Sequence, residues 1–269
     1  MGNAKKPSLE NYVSWLSQSL GINAEDAGIR NRYQINAQAC QTRIQADPFV
    51  SAIADKALND STYNIISLPS NLQFSIKPFD SVLEKTFRVN ILGNRDFPSA
   101  PPNGWVTPDT CFSCLDDVIR STIVVRYLDD PERLAVLLVN MSKQFSVESE
   151  YKPRSLDSGY YAYHFYFKVE VSITDERWQS VSRMITAEIQ ITTQLQEIMK
   201  SLTHTFYRTT RIKPRSFDES WKWDHKSPRF LGSYLGHTLH LLEGMIVQLR
   251  ETCMASASEE SPTDIAEME

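Results

Sequence analysis

The stretch that most constrains this chain is Met184-Ile185-Thr186-Ala187-Glu188-Ile189-Gln190-Ile191. Read at a period of two, Met184, Thr186, Glu188 and Gln190 fall on one side. Ile185, Ala187, Ile189 and Ile191 fall on the other, the pattern of a strand with one apolar and one polar face. A carboxylate in the middle of such a strand sits awkwardly. Strands disfavour Glu mildly, and a partly buried carboxylate needs cations or hydrogen-bond donors. The strand alone leaves two readings open: Glu188 faces solvent on a half-exposed strand, or it belongs to a polar site. A second carboxylate, a tyrosine beside a glycine and a set of cations elsewhere in the chain favour the site.

With 269 residues the chain can bury a full core, as one large domain or one domain with helical additions. Its 41% hydrophobic and 23% charged content is ordinary for a globular protein. A net charge of −5 argues against a general nucleic-acid coat protein and leaves room for a local basic pocket. No run of roughly eighteen apolar residues occurs, and no apolar stretch stands near the N-terminus, so neither a membrane span nor a signal peptide is expected. A cytoplasmic location follows as an expectation. Cys111 and Cys114 form one C-x-x-C pair without a second pair or spaced histidines, which reads as reduced thiols rather than a zinc site.

From Ser8 to about Asn59 apolar residues recur at helical spacing, broken by Gly21 and Pro48, predicting two or three helices in an accessory layer. Their cations (Lys5, Lys6, Arg30, Arg32, Arg43) read as a solvated face. Ile76 to Arg88 reads as a short extended entry into a helix, on which Ser81, Lys85 and Arg88 share one face. Gly93 to Asp109, rich in Pro, Gly and Asn, reads as a long loop of the kind used as a lid or binding loop. Asp116-Asp117 precede a β-branched run through Val125 that predicts a buried, parallel strand. A helix from Asp129 to about Met141 follows, and then strands over 145–150 and 160–167. The aromatics Tyr161, Tyr163, Phe165 and Phe167 are expected to pack as core, while Tyr160, after Gly159, stands at the strand mouth. Thr193 to Arg211 predicts a helix with His204, Tyr207, Arg208 and Arg211 on one face. Phe230 to about Arg250 predicts an amphipathic helix carrying Tyr234, Leu235, Leu242, Met245, Ile246 and Leu249, and 255–269 reads as a disordered acidic tail. Strands interrupted by helices on one sheet give an α+β or mixed α/β domain.

These pieces resemble the RelA/SpoT nucleotide-pyrophosphokinase (alarmone synthetase) family. Lys77, Ser81 and Lys85 fit its Lys-x-x-x-Ser-x-x-x-Lys helix. Asp117 fits the Asp of its Asp-x-x-Gly-x-Arg strand. Gly159-Tyr160 with His164 fits its Gly-Tyr-x-x-x-His segment. Glu188-Ile189-Gln190-Ile191, with His204 and Tyr207-Arg208, fits its Glu-x-Gln-x-Arg-Thr strand and His-x-x-Tyr-Lys helix. The matching span is roughly 73–211. The implied organisation is an N-terminal helical extension (1–72), this synthetase-like domain (73–211), C-terminal helices packed on it (212–250) and the tail (251–269). The implied fold is α+β, a nucleotidyltransferase-like mixed sheet flanked by helices, with helical additions at both ends.

The resemblance implies transfer of the β,γ-pyrophosphate of ATP to the 3′-hydroxyl of an acceptor, usually GDP or GTP. It implies a magnesium ion (Mg2+) served by Asp117 and Glu188, and Tyr160 stacked on the acceptor base. Phosphoryl transfer is mostly positioning and charge neutralisation, and Lys77, Lys85, Arg88, Arg208 and Arg211 are the cations on hand. The chain departs from the family where Arg120 and Thr122 take the Gly and Arg positions of the Asp block and Thr192 replaces an arginine. Arg120 can restore one cation. No His-Asp motif of the family's hydrolase domain occurs, so a stand-alone synthetase-type domain is expected. Three readings stay open: an alarmone synthetase, a toxin that pyrophosphorylates the 3′ end of tRNA, and a non-catalytic nucleotide-binding or regulatory protein. An antitoxin partner or self-association stays open as well.

Overall fold

The alternation around Glu188 is one part of a strand longer than the pattern shows. The computed structural model describes residues 6–57, 59–66, 72–211 and 220–259, the side chains of 204–211 and 257–259 excepted. Its strands are β1 (Ser75–Ile76), β2 (Ile119–Val125), β3 (Ser149–Leu156), β4 (Tyr160–Thr174) and β5 (Ser180–Thr193). They form one sheet in the order β1-β2-β5-β4-β3. Only β2 and β5 run parallel; the other pairings are antiparallel. The helices are α1 (Leu9–Leu20), α2 (Ala27–Gln45), α3 (Pro48–Lys56), α4 (Phe79–Phe87), the short α5 (Cys111–Cys114), α6 (Asp130–Gln144), α7 (Gln194–Arg211) and α8 (Pro228–Glu259). The architecture is therefore α+β, a mixed five-stranded sheet flanked by helices. No described helix is long and apolar enough to cross a membrane.

The core forms where the apolar face of the sheet meets the helices. Ile119, Ile123, Ala187, Ile189, Ile191, Phe165 and Phe167 are fully or almost fully buried and cluster with Phe49 and Ile53 of α3, Ala37 and Ile44 of α2 and Leu134 and Leu138 of α6. Burying each large side chain is worth about 1.5–3 kcal/mol, which explains why β2 and β5 hold the centre. Helices α2 and α3 thus close the sheet's own core rather than adding a separate layer. A second cluster joins Tyr12 and Leu16 of α1 to Leu83, Phe87 and Ile91.

Several expectations are corrected. The N-terminal cations are paired, not merely solvated. Arg32, 7% exposed, donates to Asp109 at 2.6 and 2.9 Å, and Arg30 pairs with Asp80 at 3.1 Å. Arg43 pairs with Asp47 at 2.7 Å, and Lys6 donates to the carbonyls of Ile91 and Asn94; Lys5 lies outside the described residues. The loop over 93–109 is pinned rather than a lid. Asn90 exchanges two hydrogen bonds with Val106, at 2.7 and 2.9 Å, and Trp105 packs against Trp15 of α1. The strand expected over 145–150 instead spans Ser149–Leu156, so 151–156 make up most of β3. From Glu188 onward the polar side of β5 is not half-exposed, because every residue from Ala187 to Thr193 is buried.

Helix α8 differs most. It runs to Glu259, into the stretch read as tail, and 260–269 lie outside the described residues. It packs through its small and polar residues. Gly236 meets Gly159 so closely that a Cβ on Gly159 would lie 2.8 Å from the Gly236 Cα and 2.6 Å from the Ser233 carbonyl oxygen. Gly159 also holds φ at +74°, a region that side-chain-bearing residues rarely adopt. The apolar residues of the amphipathic pattern in α8 point outward, Leu249 at 65% exposure and Met245 at 56%.

Candidate functional site

Residues opposite one another in a sheet point to the same face, and this rule assembles the site. Arg120 is in register with Glu188, Glu188 with Tyr166, and Tyr166 with Glu150. The adjacent row is Thr122, Gln190, His164 and Lys152. The sheet therefore has a polar face across four strands, back to back with the apolar core.

At its centre Glu188 is 3% exposed. Its Oε1 lies 2.6 Å from His164 Nδ1, and Gln190 Nε2 donates to Oε2 at 2.9 Å. A carboxylate at Nδ1 favours the proton on that nitrogen and leaves Nε2 as acceptor. The Tyr160 hydroxyl stands 3.0 Å from Nε2 and, with that tautomer, is its donor. The Tyr166 hydroxyl is 3.3 Å from Nδ1. The result is a continuous chain from Tyr160 through His164 to Glu188.

Asp117 stands at the entry to β2, where two lysines converge on it. Lys77 Nζ reaches Oδ2 at 2.6 Å and Lys85 Nζ reaches Oδ1 at 2.5 Å. The backbone places both cations. The Lys77 N–H bonds the Val118 carbonyl at 2.9 Å, the Tyr33 hydroxyl donates to the Lys77 carbonyl, and α4 carries Lys85 in its last turn.

Burial opposes charge on Asp117, but Lys85 and then Lys77 outweigh it and hold the carboxyl far below the usual carboxylate range. Glu188 follows the same logic: burial raises it, while the bond and charge of His164, with Gln190, bring it below its ordinary value. Burial lowers Lys77, and Asp117 restores part of that loss. Asp116 is raised, chiefly by burial and further by Asp117 and Glu188, so the three carboxylates act on one another. Burial pushes the Tyr166 hydroxyl up to about 12, even though Arg154 hydrogen-bonds it.

The expected residues divide into three groups. Asp117, Lys77 and Lys85 meet directly, and Glu188, Gln190, His164 and Tyr160 form one hydrogen-bonded set. Arg120 shares the Glu188 row and its charge bears on Lys77. Ser81 is half-buried one turn before Lys85, whereas Arg88 begins a π-helical turn over Arg88–Leu92 and donates to the Glu84 carbonyl at 3.4 Å. The face of His204, Tyr207, Arg208 and Arg211 lies on α7, but their side chains fall outside the described residues. Sequence reasoning missed Tyr166, Asp116, Lys152 and Arg154. Tyr166 was within reach, since it follows His164 at a spacing of two and so shares its face. Arg154 was hidden because the expected strand stops at 150, short of most of β3.

Asp117 and Glu188 were expected to serve magnesium. No group of three or more His, Cys, Asp or Glu side chains placed to hold a metal occurs among the described residues. Magnesium commonly takes one or two carboxylates and completes its shell with phosphates and water. The hard oxygen donors of Asp117 and Glu188 fit it by type. All four cysteines are free, Cys111 buried and Cys114 exposed.

No protein-family model matches the chain, and no curated protein matches it. Among solved structures it is similar to a GTP pyrophosphokinase family protein from Streptococcus pneumoniae, at 17% identity and a TM-score of 0.48, over 87% of this chain and 97% of that one. It is also similar to the small alarmone synthetase 1 of Bacillus subtilis bound to its product pppGpp, at 16% identity and a TM-score of 0.49, over 83% and 97% of the two chains. The small alarmone synthetase 2 of the same organism gives 17% identity and a TM-score of 0.46, over 81% and 95%. At these identities and scores the likeness assigns no activity to this chain.

Proposed function

We propose that the chain is an ATP-dependent nucleotide 3′-pyrophosphokinase, with GDP or GTP as acceptor. The observation that carries the reading is the convergence of Lys77 and Lys85 on Asp117, beside the Tyr160–His164–Glu188 chain. Two cations positioned on a replaceable anion, next to a buried carboxylate coupled to a histidine, provide what pyrophosphoryl transfer needs. The four sequence blocks of the RelA/SpoT type, in order, support the same reading.

In this mechanism the acceptor's 3′-oxygen forms a bond to the β-phosphorus of ATP, the bond from that phosphorus to the α,β-bridging oxygen breaks, and AMP leaves. Lys77 and Lys85 turn from Asp117 to the β- and γ-phosphate oxygens and neutralise them. Glu188, ionised at neutral pH, accepts the proton of the 3′-hydroxyl, and His164 and Gln190 hold it in orientation. Tyr160 orients His164 through its hydroxyl while its ring borders the acceptor. Asp117 and Glu188 are the residues that would hold magnesium, which would supply further charge neutralisation at the phosphates. A cytoplasmic setting, where ATP and guanine nucleotides are abundant, goes with this reading.

The test is label transfer from γ-labelled ATP to GDP, GTP, ATP or tRNA, with the product resolved by chromatography. Label on GDP or GTP is expected. Label on the tRNA 3′ end would replace the proposed acceptor with RNA, and no transfer to any acceptor would leave a binding protein.

A further inference from the structure

The span that resembles a synthetase begins near residue 73, yet one turn of α2, well ahead of it, touches both halves of the Asp117 cluster. Tyr33 on that turn is 2% exposed. Its ring lies against Phe79, two residues after Lys77, and Phe112, five residues before Asp117, with centroids 5.2 and 5.3 Å away. Its hydroxyl donates to the carbonyl of Lys77 itself. The neighbouring Arg32 holds Asp109, just ahead of α5, at 2.6 and 2.9 Å. One turn of one helix thus grips the segment that brings in the lysines and the segment that brings in the aspartate.

We propose that Tyr33 is a positioning residue of the transfer site, acting through the main chain of Lys77. This rests on the reading of Lys77 as a cation for the ATP phosphates. Lys77 belongs to neither β1 nor α4, so its main chain is held by two hydrogen bonds from outside those elements. Its N–H donates to the Val118 carbonyl at 2.9 Å, and its carbonyl accepts from Tyr33. A lysine carries its charge on a flexible four-carbon stem. Where the ammonium can reach therefore depends on how firmly the residue's own backbone is fixed, and Lys77 Nζ reaches Asp117 at 2.6 Å. Burial raises the Tyr33 hydroxyl far above its usual value, which keeps it protonated, and so a donor, across the neutral range. The two ring contacts in turn fix that hydroxyl relative to both segments. A phenylalanine at 33 would pack as well, and only the hydroxyl reaches the lysine.

The test is Tyr33→Phe in the full chain. It keeps both ring contacts and removes only the hydroxyl, so the fold should survive, as far-UV circular dichroism will report. In label transfer, kcat/KM for ATP should fall about 10-fold, the effect of leaving a buried carbonyl without its donor, with acceptor KM unchanged. In a Lys77→Met background the same change should lower transfer by less than about 2-fold, because the side chain it positions is gone. An equal loss in both backgrounds, or no loss in the wild type, overturns the proposal. Urea denaturation supplies a readout that needs no transfer. Asp117→Asn should raise the unfolding equilibrium constant about 3-fold less, or smaller still, in Tyr33→Phe than in the wild type, since a loosely held Lys77 pairs less with Asp117. A wild type that transfers no label ends the pyrophosphokinase reading, and this cycle alone then decides the part of Tyr33. An undiminished effect of Asp117→Asn in Tyr33→Phe overturns it.

Discussion

His164 Nδ1 lies 2.6 Å from Glu188 Oε1 although the two are diagonal rather than opposed in the sheet, His164 being in register with Gln190. Gln190 closes the triangle by donating to the other carboxylate oxygen at 2.9 Å. A buried carboxylate on a strand is therefore satisfied entirely from its neighbours on the same sheet face, and its charge stays available to a ligand above that face.

That relationship sets a pH dependence. With His164 present, Glu188 is held below its ordinary range despite burial. If ionised Glu188 is required, activity fails as pH falls through that depressed value. In His164→Asn burial of Glu188 meets less opposition, so the acid limb of kcat/KM should move upward, toward neutral pH. A limb unmoved by this substitution would remove Glu188 from the role of ionised acceptor.

Asp117→Asn should do two separable things. Transfer should drop about 100-fold or more, since the phosphate lysines lose the anion that positions them. Stability should fall by about 1–3 kcal/mol, because Lys77, 7% exposed, is left buried without a counter-charge. Adding Lys77→Met should recover stability and not activity, measured by urea denaturation beside label transfer. In the wild type the Asp117 carboxyl is depressed, so its stabilisation is complete above the ordinary carboxylate range. It is lost as pH falls through the lower folded-state value.

Tyr160→Phe keeps the ring and removes the hydroxyl that stands 3.0 Å from His164 Nε2. Stacking alone would make this change neutral. The observed bond predicts roughly a 5- to 10-fold fall in kcat, the worth of one hydrogen bond, with acceptor KM little changed. Tyr160→Ala should additionally weaken acceptor binding by about 1–3 kcal/mol, the range for an aromatic ring on a base. A Phe variant with full turnover would return Tyr160 to a purely stacking part.

Glu243, on the inner side of α8, has Thr193 and Gln196 beside it but no hydrogen bond of ordinary geometry to either carboxylate oxygen, and burial raises it above its usual value. Thr193 and Gln196 beside it offset part of that rise. A raised carboxyl favours the fold while protonated and loses that contribution as pH rises through its folded value. Glu243→Gln should match the wild type near pH 4 and be more stable at pH 8. Thermal melts across that span will show whether the two curves separate in this direction.

How much of this could be read from residues differs by element. β2 and the second half of β5 were legible because β-branched runs and strict alternation have few other outcomes. Tyr160, His164, Glu188 and Gln190 could be grouped by parity along their strands. The meeting of Lys77 and Lys85 with Asp117 could not be derived from spacing, since they stand 40 and 32 residues away and only the pairing of β1 with β2 brings them together. The orientation of α8 was not legible for a different reason. Periodicity finds an apolar stripe but not what the stripe faces, and here glycine, serine and histidine make the intramolecular contact.

The contact of Gly159 with Gly236 has a mechanical consequence. A helix seated on side chains can slide or tilt while rotamers readjust beneath it. Two main chains touching at Cα distance leave nothing between them that can yield. α8 and the mouth of β4 must therefore move together or part altogether. Any load applied to the outer side of α8 is delivered, without a cushion, to the peptide that precedes Tyr160.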